Sequence, residues 1–162
     1  MTQTPHDVAA KPADALVIFG ITGDLAKVMT FRSLYRLERR NVLGCPIIGV
    51  AMEDWTLAEL VERARESIVG AGEQIDDEVF DRLSKRLSYV RGDLTDAATY
   101  DRVARAVGDA ACPVFYLEIP PFLFAGVVKG LHGAGLTESG RVVVEKPFGH
   151  DLDSAEELNR VV

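Results

Sequence analysis

Short apolar runs alternate along the chain with longer stretches in which apolar positions recur every three or four residues. Ala15–Phe19 reads as a buried strand, Asp24–Arg40 as a helix and Pro46–Ala51 as a second strand. Two helical stretches follow, Leu57–Val69 and Asp77–Leu87, then a strand over Ser88–Arg91 and a helix over Asp96–Val107. Val114–Ile119 and Arg141–Glu145 are further strands, with a helix over Phe122–Leu131 between them and another from Asp151 onward.

Short apolar strands that each lead into helix predict an α/β domain: a doubly wound parallel sheet, Rossmann-like, covered on both faces through right-handed crossovers. Residues 1–13 carry no periodicity and hold Pro5 and Pro12, so a flexible tail is expected there, with the dinucleotide-binding domain over 14–162. Thr56 before Leu57, with Glu59 in the first turn, and Asp151 before Asp153 are helix-start signals. Gly70 and Gly72 stop a helix. The last helical pattern, Leu152, Ala155, Leu158 and Val162, runs to the end with no cap. A chain cut inside an element, before a second α+β domain, is the expectation; a frayed natural terminus is the alternative.

Composition narrows the partners. The 162 residues are 48% hydrophobic and 27% charged, with a net charge of −7, an ordinary composition for a soluble protein. The basic residues are scattered or paired with acids, so nucleic acid is not expected as a partner. Cys45 and Cys112 form no C-x-x-C pair, no His, Cys and carboxylate cluster has metal-ligand spacing, and both cysteines read as buried thiols. No run is long enough to span a bilayer and the N-terminus is no signal peptide, so a cytoplasmic protein without a membrane partner is expected.

Candidate chemistry collects where strands end, which is where open α/β sheets bind ligands. Gly20-Ile21-Thr22-Gly23-Asp24-Leu25-Ala26-Lys27 joins the first strand to a helix through a glycine turn. Gly20 can take a backbone conformation closed to other residues, Gly23 leaves backbone amides open, and the helix dipole favours an anion there. A turn without ligand is the bland alternative, because the spacing is G-x-x-G-x-x-A. Met52-Glu53-Asp54 ends the second strand. An acid there accepts from ribose hydroxyls and favours NAD, whereas a 2′-phosphate wants arginine; the acids could equally cap the Thr56 helix. Tyr116-Leu117-Glu118-Ile119-Pro120-Pro121 either flanks a nicotinamide ribose or is a rigid stop. Lys146 in Glu145-Lys146-Pro147-Phe148-Gly149 can meet a substrate phosphate or hydroxyl, or is a surface lysine before a turn. His6, His132 and His150 lack an acid partner, so no catalytic histidine is assigned.

Gly20–Lys27, Arg91-Gly92-Asp93-Leu94, Phe115–Pro121 and Arg141–Gly149 with Asp151-Leu152 together resemble, in order and spacing, the amino-terminal half of glucose-6-phosphate dehydrogenase. The resemblance covers about residues 15 to 162 and is carried most specifically by Gly-Asp-Leu-Ala-Lys together with Glu-Lys-Pro-Phe-Gly. It implies the coenzyme domain of an oxidoreductase that transfers hydride from C1 of glucose 6-phosphate to NADP or NAD, giving 6-phosphogluconolactone in the pentose phosphate pathway. By that likeness Gly20, Thr22, Gly23, Asp24, Leu25 and Ala26 hold pyrophosphate and ribose, with Met52 and Glu53 at the ribose corner. Asp93 and Leu94 lie along the adenosine, and Leu117 and Pro120 beside the nicotinamide. Lys146 bridges cofactor and substrate, Pro147 follows a cis bond, and the full-length enzyme is a homo-oligomer.

The chain departs from the family at Met52, where an arginine commonly clamps the 2′-phosphate, at Met29, where a lysine reaches toward the substrate, and at Glu118, where a small or apolar residue is usual. The family's Arg-Ile-Asp-His-Tyr-Leu-Gly-Lys-Glu segment and later catalytic histidine have no counterpart, so this chain alone is expected not to turn over substrate. Another Glu-Lys-Pro sugar dehydrogenase and a non-catalytic dinucleotide-binding module are the competing readings.

Overall fold

A computed structural model describes residues 11–145. Its framework is a single parallel sheet of β1 (Ala15–Phe19), β2 (Ile47–Ala51), β3 (Leu87–Arg91), β4 (Pro113–Leu117) and β5 (Arg141–Val144), ordered β3-β2-β1-β4-β5. The expected doubly wound sheet is therefore present. The helix expected from Asp151, with Leu152, Asp153, Ala155, Leu158 and Val162, lies outside the described residues, as do Lys146, Pro147, His6 and His150.

Alternation along β1 explains the layering. Ile18 faces a cluster with Phe31, Tyr35, Ile47, Leu60 and Leu83, built by α1 (Phe31–Arg39), α2 (Leu57–Gly70) and α3 (Asp77–Arg86). Val17 and Phe19 face the opposite side, against Ile48, Val50, Phe115 and the apolar faces of α4 (Ala97–Val107) and α5 (Phe124–Gly133). All five residues of β2 are buried, as a central parallel strand covered on both faces requires.

Local signals set most boundaries. Thr56 and Glu59 close a full capping box at the start of α2, each side chain taking the other's backbone N–H. Asp76, one residue before the expected start, caps α3 through Glu78 and Val79. Asp14 accepts from the amides of Ala111 and Cys112 and so pins the start of β1 to that of β4. Cys45 is buried as expected, and burial pushes its thiol up; Cys112 is partly exposed, because it sits in the turn entering β4 rather than inside the core.

Two elements differ from their sequence pattern. The helix read as continuous over Asp24–Arg40 contains a π turn at Ala26–Thr30, where the N–H of Phe31 reaches back to the carbonyl of Ala26. Strand β4 ends at Leu117, not Ile119, and the helix after it begins as a 3-10 turn over Pro121–Leu123. The paired prolines cause both changes, since neither can donate to a ladder or a helix.

Helix α1 is tied to its neighbours by polar groups as well. The carboxylate of Glu38, a residue only 1% exposed, receives Arg82 Nε at 3.2 Å and Arg86 Nε at 2.6 Å from α3. The hydroxyl of Tyr35 donates to the Gln74 carbonyl and accepts from the Asp76 amide, joining α1 to the α2–α3 connection.

Candidate dinucleotide-binding site

All strands run the same way, so their carboxyl ends line one edge of the sheet. Strand order reverses direction between β1 and β4, the switch point at which open α/β sheets form their ligand crevice. The Gly20–Lys27 turn occupies that point. Gly20 has φ +87°, its N–H donates to the Val50 carbonyl at 2.8 Å, and a Cβ added to it would lie 2.2 Å from the Glu118 carbonyl oxygen. Two independent constraints thus require glycine here: a positive φ and the backbone of β4 pressed against the Cα. The turn is closed by Gly23 N–H on the Gly20 carbonyl at 2.9 Å, and the helix begins with Lys27 N–H on the Gly23 carbonyl at 3.1 Å. Helical residues start at Asp24, so free amides and the positive end of the helix dipole face the crevice, as anion binding demands.

The Thr22 hydroxyl donates to Glu53 Oε2 at 2.6 Å, across 31 residues of sequence. This joins the glycine turn to the end of β2. Neither Glu53 nor Asp54 caps α2, since Thr56 does that with Glu59; Glu53 turns to the glycine loop and Asp54 pairs with Arg91 at 3.2 Å. The backbone of this corner is held from β3: Tyr89 donates to the Glu53 carbonyl at 2.6 Å and Arg91 Nε to the Met52 carbonyl at 3.2 Å. Burial, then the nearby Glu53 charge, pushes the Tyr89 phenol up to about 12, so it stays a donor.

The remaining expected contacts divide by whether a side chain or a backbone is on offer. Ala26 and Leu117 are fully buried, so either can reach a ligand only through its main chain; Leu25 and Met52 are exposed. Asp93 accepts from the amide and hydroxyl of Thr95 at 2.8 and 2.7 Å, bonds that hold its carboxyl below the ordinary value. Its carboxylate is thus engaged in shaping the turn after β3. The carbonyls of Asp93 and Leu94 take the hydroxyls of Thr99 and Tyr100, which fixes that turn against α4. Pro120 precedes the 3-10 turn at the crevice rim.

Thr30, at the end of the π turn, donates to Glu118 Oε1, and the Tyr116 hydroxyl donates to Glu145 Oε1. These pairs border a cleft of about 290 Å³ lined by Leu25, Met29, Thr30, Leu37, Tyr116 and Glu145 among others. Glu118 Oε2 is buried and takes no hydrogen bond among the described residues. Burial pushes this carboxyl from its ordinary 4.5 to about 7, against the lowering effect of the Thr30 bond and with help from the Glu145 charge. The unfolded chain releases this proton near 4.5, whereas the folded chain keeps it to about 7. The stability that the neutral carboxyl contributes is complete below the lower value and is lost as pH rises through the upper one. Glu118 is partly exposed, so solvent reduces the effect. Urea midpoints of the wild type are expected to fall, relative to Glu118→Gln, between about pH 5 and about pH 8; parallel curves for the two proteins would contradict this.

Thr30 and Tyr89 belong to none of the sequence motifs, and Tyr116 and Arg91 stand inside theirs without a role; all four find their partners only through the fold. Among the described residues no group of His, Cys, Asp and Glu is arranged to hold a metal.

Comparison with known proteins agrees with this geometry. The family model for the glucose-6-phosphate dehydrogenase NAD binding domain matches residues 17–162. Glucose-6-phosphate 1-dehydrogenase 1 of Mycobacterium tuberculosis is 60% identical over 147 residues, covering 91% of this chain and 31% of the relative. A crystal structure of glucose-6-phosphate 1-dehydrogenase from Mycobacterium avium superposes with TM-score 0.88 at 59% identity, over 93% of this chain and 33% of that one. A glucose-6-phosphate dehydrogenase in complex with its substrate glucose-6-phosphate matches with TM-score 0.80 at 32% identity, over 94% and 35% of the two chains. The chain thus spans about a third of the length of the relatives it matches. With the family model covering nearly all of the chain and the glycine turn seated at the sheet's switch point, this chain belongs to the glucose-6-phosphate dehydrogenase family, of which it carries the NAD binding domain.

Proposed function

We propose that the chain is the coenzyme-binding part of an enzyme that oxidises glucose 6-phosphate at C1 to 6-phosphogluconolactone, with NADP or NAD as hydride acceptor. The observation that carries this reading is the Gly20–Gly23 turn at the β1/β4 switch point, which leads directly into the helix that begins at Asp24. Its residues fit a dinucleotide: the amides of Asp24, Leu25 and Ala26 in the first helical turn for pyrophosphate, and Glu53, linked to the turn by Thr22, for ribose hydroxyls. The nicotinamide ring, when bound, accepts the hydride.

In this reading Asp24, Leu25 and Ala26 contribute the first turn of the helix behind the pyrophosphate. Asp93 and Leu94 border the adenosine, Leu117 and Pro120 offer backbone beside the nicotinamide, and Lys146 bridges cofactor and sugar phosphate. The general base comes from the remainder of the full-length protein. A cytoplasmic location and assembly of like subunits belong to the same reading; size-exclusion chromatography of the full-length protein tests the second.

Calorimetry with NAD and NADP is the direct test. The chain is expected to bind at least one of them and to oxidise no glucose 6-phosphate by itself, while the full-length protein does both. Absence of binding by both forms of the protein would overturn the reading, and cofactor binding without turnover by the full-length protein would leave a non-catalytic module.

A further inference from the structure

NADP differs from NAD by one phosphate, on the 2′-oxygen of the adenosine ribose, and in this fold that oxygen lies over the end of β2. On the dinucleotide reading above, the charges around that point rank the two cofactors. Glu53 is fixed from three directions: Thr22 on its Oε2 at 2.6 Å, Tyr89 on its carbonyl at 2.6 Å, and Arg91 Nε on the preceding carbonyl, of Met52, at 3.2 Å. The carboxylate keeps its other oxygen to accept from a ribose hydroxyl. Arg91 ends β3 directly beside Ala51, the last residue of β2, so a cation does stand at this corner.

That cation is already engaged. A terminal nitrogen of Arg91 lies 3.2 Å from Asp54 Oδ1 while its Nε holds the Met52 carbonyl. Both side chains are exposed, and an exposed pair by itself holds only weakly. The charge sum decides the matter. Glu53 and Asp54 together outweigh Arg91, which leaves the corner net negative, and Arg91 could meet a phosphate only by leaving Asp54 uncompensated next to it.

The geometry points to selection of NAD over NADP: Glu53, latched to the glycine turn by Thr22, receives the adenosine ribose, and Arg91 is held by Asp54 and the Met52 carbonyl instead of serving a 2′-phosphate. Arg91 is thereby a specificity-determining residue through what it is paired with. Asp54→Asn removes its anion, and Met52→Arg adds a second cation; each raises affinity for NADP relative to NAD. Glu53→Gln weakens NAD binding.

The test is calorimetric titration of the full-length protein with NAD and with NADP. The wild type is expected to bind NAD about tenfold or more tightly than NADP, the scale of one charge-assisted hydrogen bond gained or one repulsion avoided. Met52→Arg and Asp54→Asn are each expected to narrow or reverse that ratio. Residues 52–54 are all exposed, so these variants keep the fold, and the wild-type ratio depends on no variant at all. Equal affinities, or tighter NADP binding, in the wild type would overturn the inference and leave the dinucleotide reading intact. Absence of binding to either cofactor would overturn both.

Discussion

Replacing Gly20 with alanine is expected to destabilise the domain by about 3–5 kcal/mol, the combined scale of a strained positive φ and an overpacked contact. At φ +87° an alanine is strained whatever surrounds it. Its Cβ would also sit 2.2 Å from the Glu118 carbonyl oxygen, which is backbone and cannot swing away. Relief requires β4 to move off β1, and that means loosening the Glu118 N–H bond to the Phe19 carbonyl at 2.9 Å and the ladder beneath it. Gly23→Ala is the internal control. Its Cβ would meet only the Gly20 carbonyl, at 3.2 Å, and Gly23 has no positive φ, so a stability loss of at most about 1 kcal/mol is expected. Urea midpoints for the two variants measure the contrast. A Gly20→Ala protein as stable as the wild type would contradict the geometry.

The second large effect concerns Glu38. Arg82→Met with Arg86→Met leaves a carboxylate only 2% exposed without its cations, and a loss of about 3 kcal/mol is expected. The arginines are partly exposed, which places the figure at the low end for buried pairs. Adding Glu38→Leu to that double variant is expected to recover most of the loss, because a buried ion cluster replaced whole by apolar side chains costs little. If the triple variant stays as unstable as the double one, the damage comes from packing rather than from the stranded charge.

The sheet was legible because its signal is strong and local. A strand such as Ile47–Ala51, buried on both faces, must be apolar throughout, and the capping box of Thr56 and Glu59 spans four residues. The π turn at Ala26–Thr30 left no such mark, since over five residues a slightly wider turn repeats its apolar positions no differently from an α-helix. The candidate site was legible in part for the same reason. Its glycine turn is contiguous in sequence, whereas Thr30 with Glu118 and Tyr89 with Glu53 are separated by 88 and 36 residues and meet only once the strands are in register. Glu53 and Asp54 show the limit: their position was evident, but whether they cap a helix or face a ligand depended on Arg91 and Thr22, on two other elements.

The contact between Gly20 and the Glu118 carbonyl has a consequence for how such loops are inherited. Because the sheet itself cannot close with a larger residue at position 20, selection for folding alone preserves that glycine. A descendant that had abandoned its cofactor would still carry it. Thr22 and Glu53 are under no such obligation; their hydrogen bond is exposed and the core does not depend on it. Across relatives of this domain, the glycine therefore records ancestry, and it is the freely mutable threonine and glutamate that register whether a nucleotide is still in use.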